Sequence, residues 1–197
     1  IFLTNQQTNS ISLLAGSAVQ SPQNNQMFMV SLKIKNTGKP DRLISAASPS
    51  AHNGSIMNSG HEGSPIIIPE DGTGILAMDG AHIMLMTKPG TFAQGTFIPL
   101  NLKFKNAGTV AIRLQNNSAA VMNHGMSTSV SETPAPTMEL NWEELPTKNG
   151  TKLRIETNNF TFSRTDDDAA HVPNEGHAHV YLNGLKLGRL YSNTYQI

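Results

Sequence analysis

In the stretch QMFMVSLKIK, residues 26–35, Phe28, Val30, Leu32 and Ile34 occupy alternate positions on one face, while Ser31, Lys33 and Lys35 share the other. Period two over this length is the mark of a strand with one face buried, because successive side chains leave an extended backbone on opposite sides. The motif recurs. In TFIPLNLKF (96–104), Ile98, Leu100, Leu102 and Phe104 alternate, NAG (106–108) supplies a turn, and Val110, Ile112 and Leu114 resume the pattern. No apolar period of 3.6 residues persists for three turns. Short alternating segments separated by turn residues such as NTGKP (36–40) predict an all-β chain, an antiparallel sandwich or barrel.

The 197 residues are enough for one β domain and a small module. Residues 1–115 hold most of the alternation. Residues 116–137 are rich in Ser, Thr, Asn, Ala and Pro and read as a linker. Residues 138–197 read as a smaller β module. There Leu153 and Ile155 alternate, as do Phe160 and Phe162, and Asn183-Gly184 between two apolar-patterned arms predicts a hairpin. The formal charge is zero, which disfavours a nucleic-acid partner. No run approaches the roughly 18 apolar residues of a membrane span.

Cysteine is absent, whereas Met occurs nine times and His seven. A soft metal ion bound here would use thioether sulfur and imidazole nitrogen, the donors that suit Cu(I). The segment GAHIMLM (80–86) places His82, Met84 and Met86 at i, i+2 and i+4, hence on one strand face. Two readings of that face stand side by side: ordinary core packing, with Met filling gaps, or a row of soft donors. Upstream, SAHNGSIMNSGHEG (50–63) carries His52, Met57 and His61 in a Gly-, Ser- and Asn-rich stretch. It reads as a surface loop folding over the His82–Met84 strand.

Three landmarks, LKIKNTGKPDRLISAASP (32–49), IIIPEDGTGILAMDGAHIMLM (66–86) and FIPLNLKFKNAGTVAI (97–112), together resemble the PCuAC family of periplasmic copper chaperones over residues 1–115. The resemblance implies a cupredoxin-like antiparallel β-sandwich and Cu(I) held near the surface by His and Met. It also implies export to the periplasm with the leader removed, and transfer of copper to periplasmic acceptors such as oxidase assembly factors. The family's His-x-Met element falls on His82 and Met84. Its first His falls on His61. The loop that normally supplies a further Met is shorter in this sequence, and Met57, with His52 behind it, is the substitute.

The C-terminal module lies outside the resemblance. In HVPNEGHAHVY (171–181), a strand directing Ala178, Val180 and Leu182 to the core would leave His177, His179 and Tyr181 exposed together, with His171 on the preceding loop. Such imidazoles match a Cu(II) or Zn(II) site with harder donors than the first. VMNHGM (121–126), with Met122, His124 and Met126, and the acidic run TDDDA (165–169) read as polar spacer and solvated turn. No Gly-x-Ser-x-Gly elbow or phosphate-cradling glycine loop is present. The expected function is a non-enzymatic copper chaperone. A copper-dependent redox protein and a metal-independent binding module are the alternatives. Lack of a Cys thiolate counts against a blue-copper centre.

Overall fold

The structure is a computed structural model that describes residues 10–58, 61–118, 134–145, 150–164 and 172–197. The chain packs as two compact units. One comprises Ile1–Gly125 with Tyr181–Leu187, the other Met126–Val180 with Gly188–Ile197. The first unit therefore recruits a piece of chain from far beyond the linker.

Among the described residues every regular element of that first unit is a strand. The alternating segments form β1 (Ile11–Ser21), β2 (Asn24–Asn36), β3 (Asp41–Ala47), β4 (Ala51–Asn58), β5 (His61–Glu62), β6 (Ile66–Ile68), β7 (Thr73–Leu76), β8 (His82–Thr87), β9 (Phe97–Phe104) and β10 (Gly108–Asn116). The sheet runs β7-β2-β1-β10-β9-β3-β6, with β8 and β4 branching from β2. Pairing is antiparallel except for β1 with β10, which run parallel.

The alternation decides which face of the sheet is buried. Phe28, Val30, Leu32 and Ile34 of β2, Ile83 and Leu85 of β8, and Leu100, Leu102 and Phe104 of β9 are all at most 2 % exposed. Each fully buried side chain of this size contributes about 1.5–3 kcal/mol relative to leaving it in water. The turn between β9 and β10 is held from outside the hairpin. The buried carboxylate of Asp41 accepts the backbone N–H groups of Arg42, Asn106 and Ala107 at 2.7, 2.9 and 2.8 Å. That aspartate is a structural clamp.

Two expectations are corrected here. Residues 51–58 are not a flap but a strand, β4, hydrogen-bonded to β8 from Ala51↔Thr87 to Met57↔His82. The alternation was hidden because a core-facing position is held by glycine. A Cβ on Gly54 would lie 2.5 Å from the Ala46 carbonyl oxygen and 3.2 Å from Leu85, so no larger residue fits. Ile56 and Asn58, on the same face, are buried. The assumed linker, 116–137, also begins inside the fold: Asn116 is 4 % exposed and its side-chain amide donates to the Phe92 carbonyl at 2.7 Å.

The second unit contains β11 (Thr137–Glu144), β12 (Thr151–Asn158) and β17 (Thr194–Gln196) as a three-stranded antiparallel sheet, with β13 (Thr161–Phe162) and β14 (Glu175–Gly176) pairing in parallel. β15 (Ala178–Leu182) and β16 (Leu185–Leu190) form the expected hairpin. Asn183 and Gly184 have φ of 48° and 85°, the pair of positive values that a type I′ turn demands. Among the described residues no helix is long and apolar enough to cross a membrane.

Candidate metal centre

β2 carries two strands in succession along one edge. β7 pairs with Leu32–Lys35 and β8 with Met27–Val30. The chain steps from the first line to the second through the tight turn Ala77–Ala81, where Ala77 N–H donates to Ala81 O at 2.9 Å and Gly80 N–H to Ala77 O at 3.0 Å. His82 is the first residue after that step.

The core takes Ile83, Leu85 and Thr87, so His82, Met84 and Met86 lie on the opposite, outward face. The imidazole and thioethers are thus not core packing. His82 and Met84 are half-buried, and Met86 is 37 % exposed. Register then decides their neighbours. Met57 of β4 stands directly across from His82, and Ser55 across from Met84. On the other side Met29 of β2 stands across from Met84, and Met27 across from Met86. Directly opposed residues share a face, with Cβ atoms about 4.5–5.5 Å apart. Six soft donors, one imidazole and five thioethers, therefore occupy one patch of three adjacent strands.

Met27 and Met29 were missed in the sequence. The signal was present: in QMFMV they alternate with core residues Phe28 and Val30 and so take the outer face. Met57 rises from substitute to the residue facing His82. His61 pairs with Asn58, while Glu62 is opposite Met57. His52 is exposed on β4, at the irregularity between the Ala51 and Asn53 pairings.

The imidazole of His82 is oriented. Its Nδ1 lies 2.9 Å from the Gly80 carbonyl oxygen, which can only accept, so Nδ1 carries the proton and Nε2 keeps a free lone pair for a metal. Gly80 is itself pinned by the β15–β16 tip, whose residues Tyr181–Leu187 belong to this unit. Ala81 N–H donates to Gly184 O at 2.8 Å. The Tyr181 hydroxyl donates to Asp79 at 2.9 Å, and Lys186 Nζ pairs with the same carboxylate oxygen at 2.7 Å. A Cβ on Gly80 would strike Gly184 O and the Tyr181 ring at 2.9 Å, so glycine is required. Burial, and secondly the bond to Asp79, push the Tyr181 hydroxyl up to about 12, so it stays a donor throughout the physiological range. Any stability this raised value contributes is present below pH 10, the unfolded value, and is lost between about pH 10 and 12.

The tip is thus a splint for His82, and it was invisible in sequence because Asp79 and Lys186 are 107 residues apart. An Asp79→Ala chain is expected to lose about 1–3 kcal/mol, since Lys186, with a side chain only 11 % exposed, is left without this carboxylate. If His82 is a metal ligand, its looser orientation should also weaken metal binding several-fold. Thermal melts with and without metal check both effects.

Other expectations resolve differently. Tyr181 is committed to Asp79 and does not join His177 and His179, which are half-buried rather than exposed. Met122, His124, Met126, His171 and the acidic run 165–169 lie outside the described residues. Among the described residues no three His, Asp or Glu side chains are grouped to hold a metal. The outward patch on β8 draws its donors mainly from methionine.

A family model for LpqE-like lipoproteins matches residues 11–116, more than half of the chain. The chain belongs to the LpqE-like family. No match is found among curated proteins. Among solved structures, this LpqE-like chain is similar to the copper-bound PCuAC domain from PmoF2, at 19 % identity and a TM-score of 0.50, covering 55 % of this chain and 93 % of that one. It is also similar to the apo PCuAC domain from PmoF1, at 20 % identity and a TM-score of 0.51, covering 55 % and 94 %. At such identities the likeness establishes the fold. The LpqE-like unit has the β-sandwich of PCuAC domains, as the sequence resemblance implied.

Proposed function

We propose that the first unit is a copper chaperone that holds Cu(I) on the outward face of β8, through His82, Met84 and Met57; His61, paired with the buried Asn58, is left out of this set because its register puts it on the other face. The observation that carries this reading is the register Met57↔His82, which sets a thioether opposite a histidine whose Nε2 is free. Consecutive outward positions on one strand are about 6.6 Å apart, so His82 and Met84 can close on one ion from the side opposite the core. Thioether and imidazole are soft or borderline donors that favour Cu(I) over harder ions. They bind without thiol redox chemistry, which suits release by ligand exchange. The similar PCuAC domain from PmoF2 is copper-bound, which supports the cargo.

The chain acts as a carrier, not an enzyme. Its acceptors are copper-receiving proteins of the cell envelope, such as oxidase assembly factors. The lipoprotein description of its family supports an exported, periplasmic or envelope location.

Titration of the purified protein with Cu(I) against a chromophoric competitor should show about one equivalent bound to the first unit. Cu(I) at 100 times its Kd should stabilise the native state by about 2.7 kcal/mol, raising Tm by roughly 5–10 °C for a unit of this size. A Tm unmoved by Cu(I) would favour the metal-independent binding module.

A further inference from the structure

The second unit holds an arrangement that the Cu(I) face does not explain. His177 and His179 sit at i and i+2 beside and on β15, so both side chains leave the same face of the strand. Their Nε2 atoms are 3.2 Å apart, with ring centroids at 5.1 Å and planes inclined by 37°. The rings turn their Nε2 atoms toward each other, although side chains at i and i+2 have ample room to diverge. Tyr191 packs against His177 at 5.6 Å between centroids, and the Arg164 guanidinium lies 4.9 Å over the Tyr191 ring. This stack holds the His177 ring from one side.

We infer that His177 and His179 form a bidentate bis-imidazole site for a divalent borderline cation, Cu(II) or Zn(II), chemically distinct from the thioether face of the first unit. The distance discriminates among ions. Two nitrogens each about 2.0–2.1 Å from a tetrahedral zinc are separated by roughly 3.3 Å, and cis nitrogens of a square-planar ion by roughly 2.9 Å. The observed 3.2 Å falls between them. A two-coordinate linear ion would need the nitrogens about 4 Å apart, so the pair is shaped for a bent N–M–N angle. Without metal the same contact is an N–H···N hydrogen bond, one ring carrying its proton on Nε2 and the other on Nδ1. Binding replaces that shared proton by the cation: the donor ring changes tautomer, its proton moving from Nε2 to its own Nδ1 through solvent, so that both rings ligate as neutral imidazoles with no net proton released. Among the described residues no third His, Asp or Glu joins them.

The test uses the full chain and Zn(II), a poor match for thioethers. Isothermal titration should give one equivalent of Zn(II). His177→Gln or His179→Gln should each weaken it at least 10-fold, and the double variant should abolish it. Cu(II) added to the wild type should show nitrogen hyperfine structure from two imidazoles in its paramagnetic resonance spectrum, lost in the double variant. In the wild type itself, Zn(II) should shift the ¹⁵N resonances of both Nε2 atoms, a readout that needs no variant to fold. Undiminished Zn(II) binding by a folded double variant, or Nε2 resonances unmoved by Zn(II), would show the pair to be only a hydrogen-bonded contact and overturn the assignment. Cu(I) stoichiometry at the first unit, measured on the same double variant, should be unchanged; this separates failure here from failure of the chaperone reading.

Discussion

Replacing His82 and Met84 together by alanine is expected to lower Cu(I) affinity by at least about 10³-fold while leaving the metal-free protein folded. Two of the proposed donors disappear, and losing even the supporting contacts of a metal ligand typically costs 10–100-fold. What remains is Met57 facing an alanine across the β4–β8 ladder. Both positions lie on the outward face while Ile83 and Leu85 carry the burial, so metal-free stability should change by no more than about 1 kcal/mol. Competition titration and a thermal melt of the same sample are sufficient. Retained affinity would remove the site from β8. A large loss of metal-free Tm would mean that these side chains serve the fold. Met57→Ala and Met29→Ala distinguish the flanks of the patch: the first should weaken Cu(I) more, because Met57 is the residue opposite the histidine.

The second large effect concerns a residue with no donor atom. A Gly54→Ala chain must place its Cβ 2.5 Å from the Ala46 carbonyl oxygen and 3.1 Å from its carbonyl carbon. Both are backbone atoms, which cannot rotate away. β3 and β4 must therefore separate, or β4 must shift on β8. We expect a loss of about 2–4 kcal/mol, seen as a drop in Tm of roughly 5–15 °C. Cu(I) affinity should fall with it, since any shift of β4 displaces Met57 from His82. An unchanged Tm would contradict the close packing of β3 on β4. An unchanged affinity in a destabilised chain would remove Met57 from the ligand set.

Much of the architecture was legible because it rests on period two. The alternation in 26–35 and 97–114 became β2, β9 and β10, and Asn183-Gly184 became the hairpin turn. Segment 51–58 was not legible, since Gly54 faces the core without an apolar side chain and Asn58 is buried despite its polarity. The β15–β16 hairpin was foreseen, but not the withdrawal of its tyrosine. Tyr181 answers to Asp79, 102 residues earlier, and Tyr191 stands beside His177 instead.

The sequence by itself determined which residues share a strand face. Side chains alternate whatever the surroundings, so His82, Met84 and Met86 had to stand in one row, and Met27 and Met29 in another. It could not say whether the first row points to the core or away, nor which strands flank it. Those outcomes depend on contacts between distant segments: Ile83 and Leu85 entering the core, β4 and β2 closing on either edge of β8, and the 181–187 tip bracing Gly80. Each is won by burial and hydrogen bonding summed over the whole sheet, which no local pattern records. Only the tertiary structure could turn two rows and a lone Met57 into one patch of soft donors.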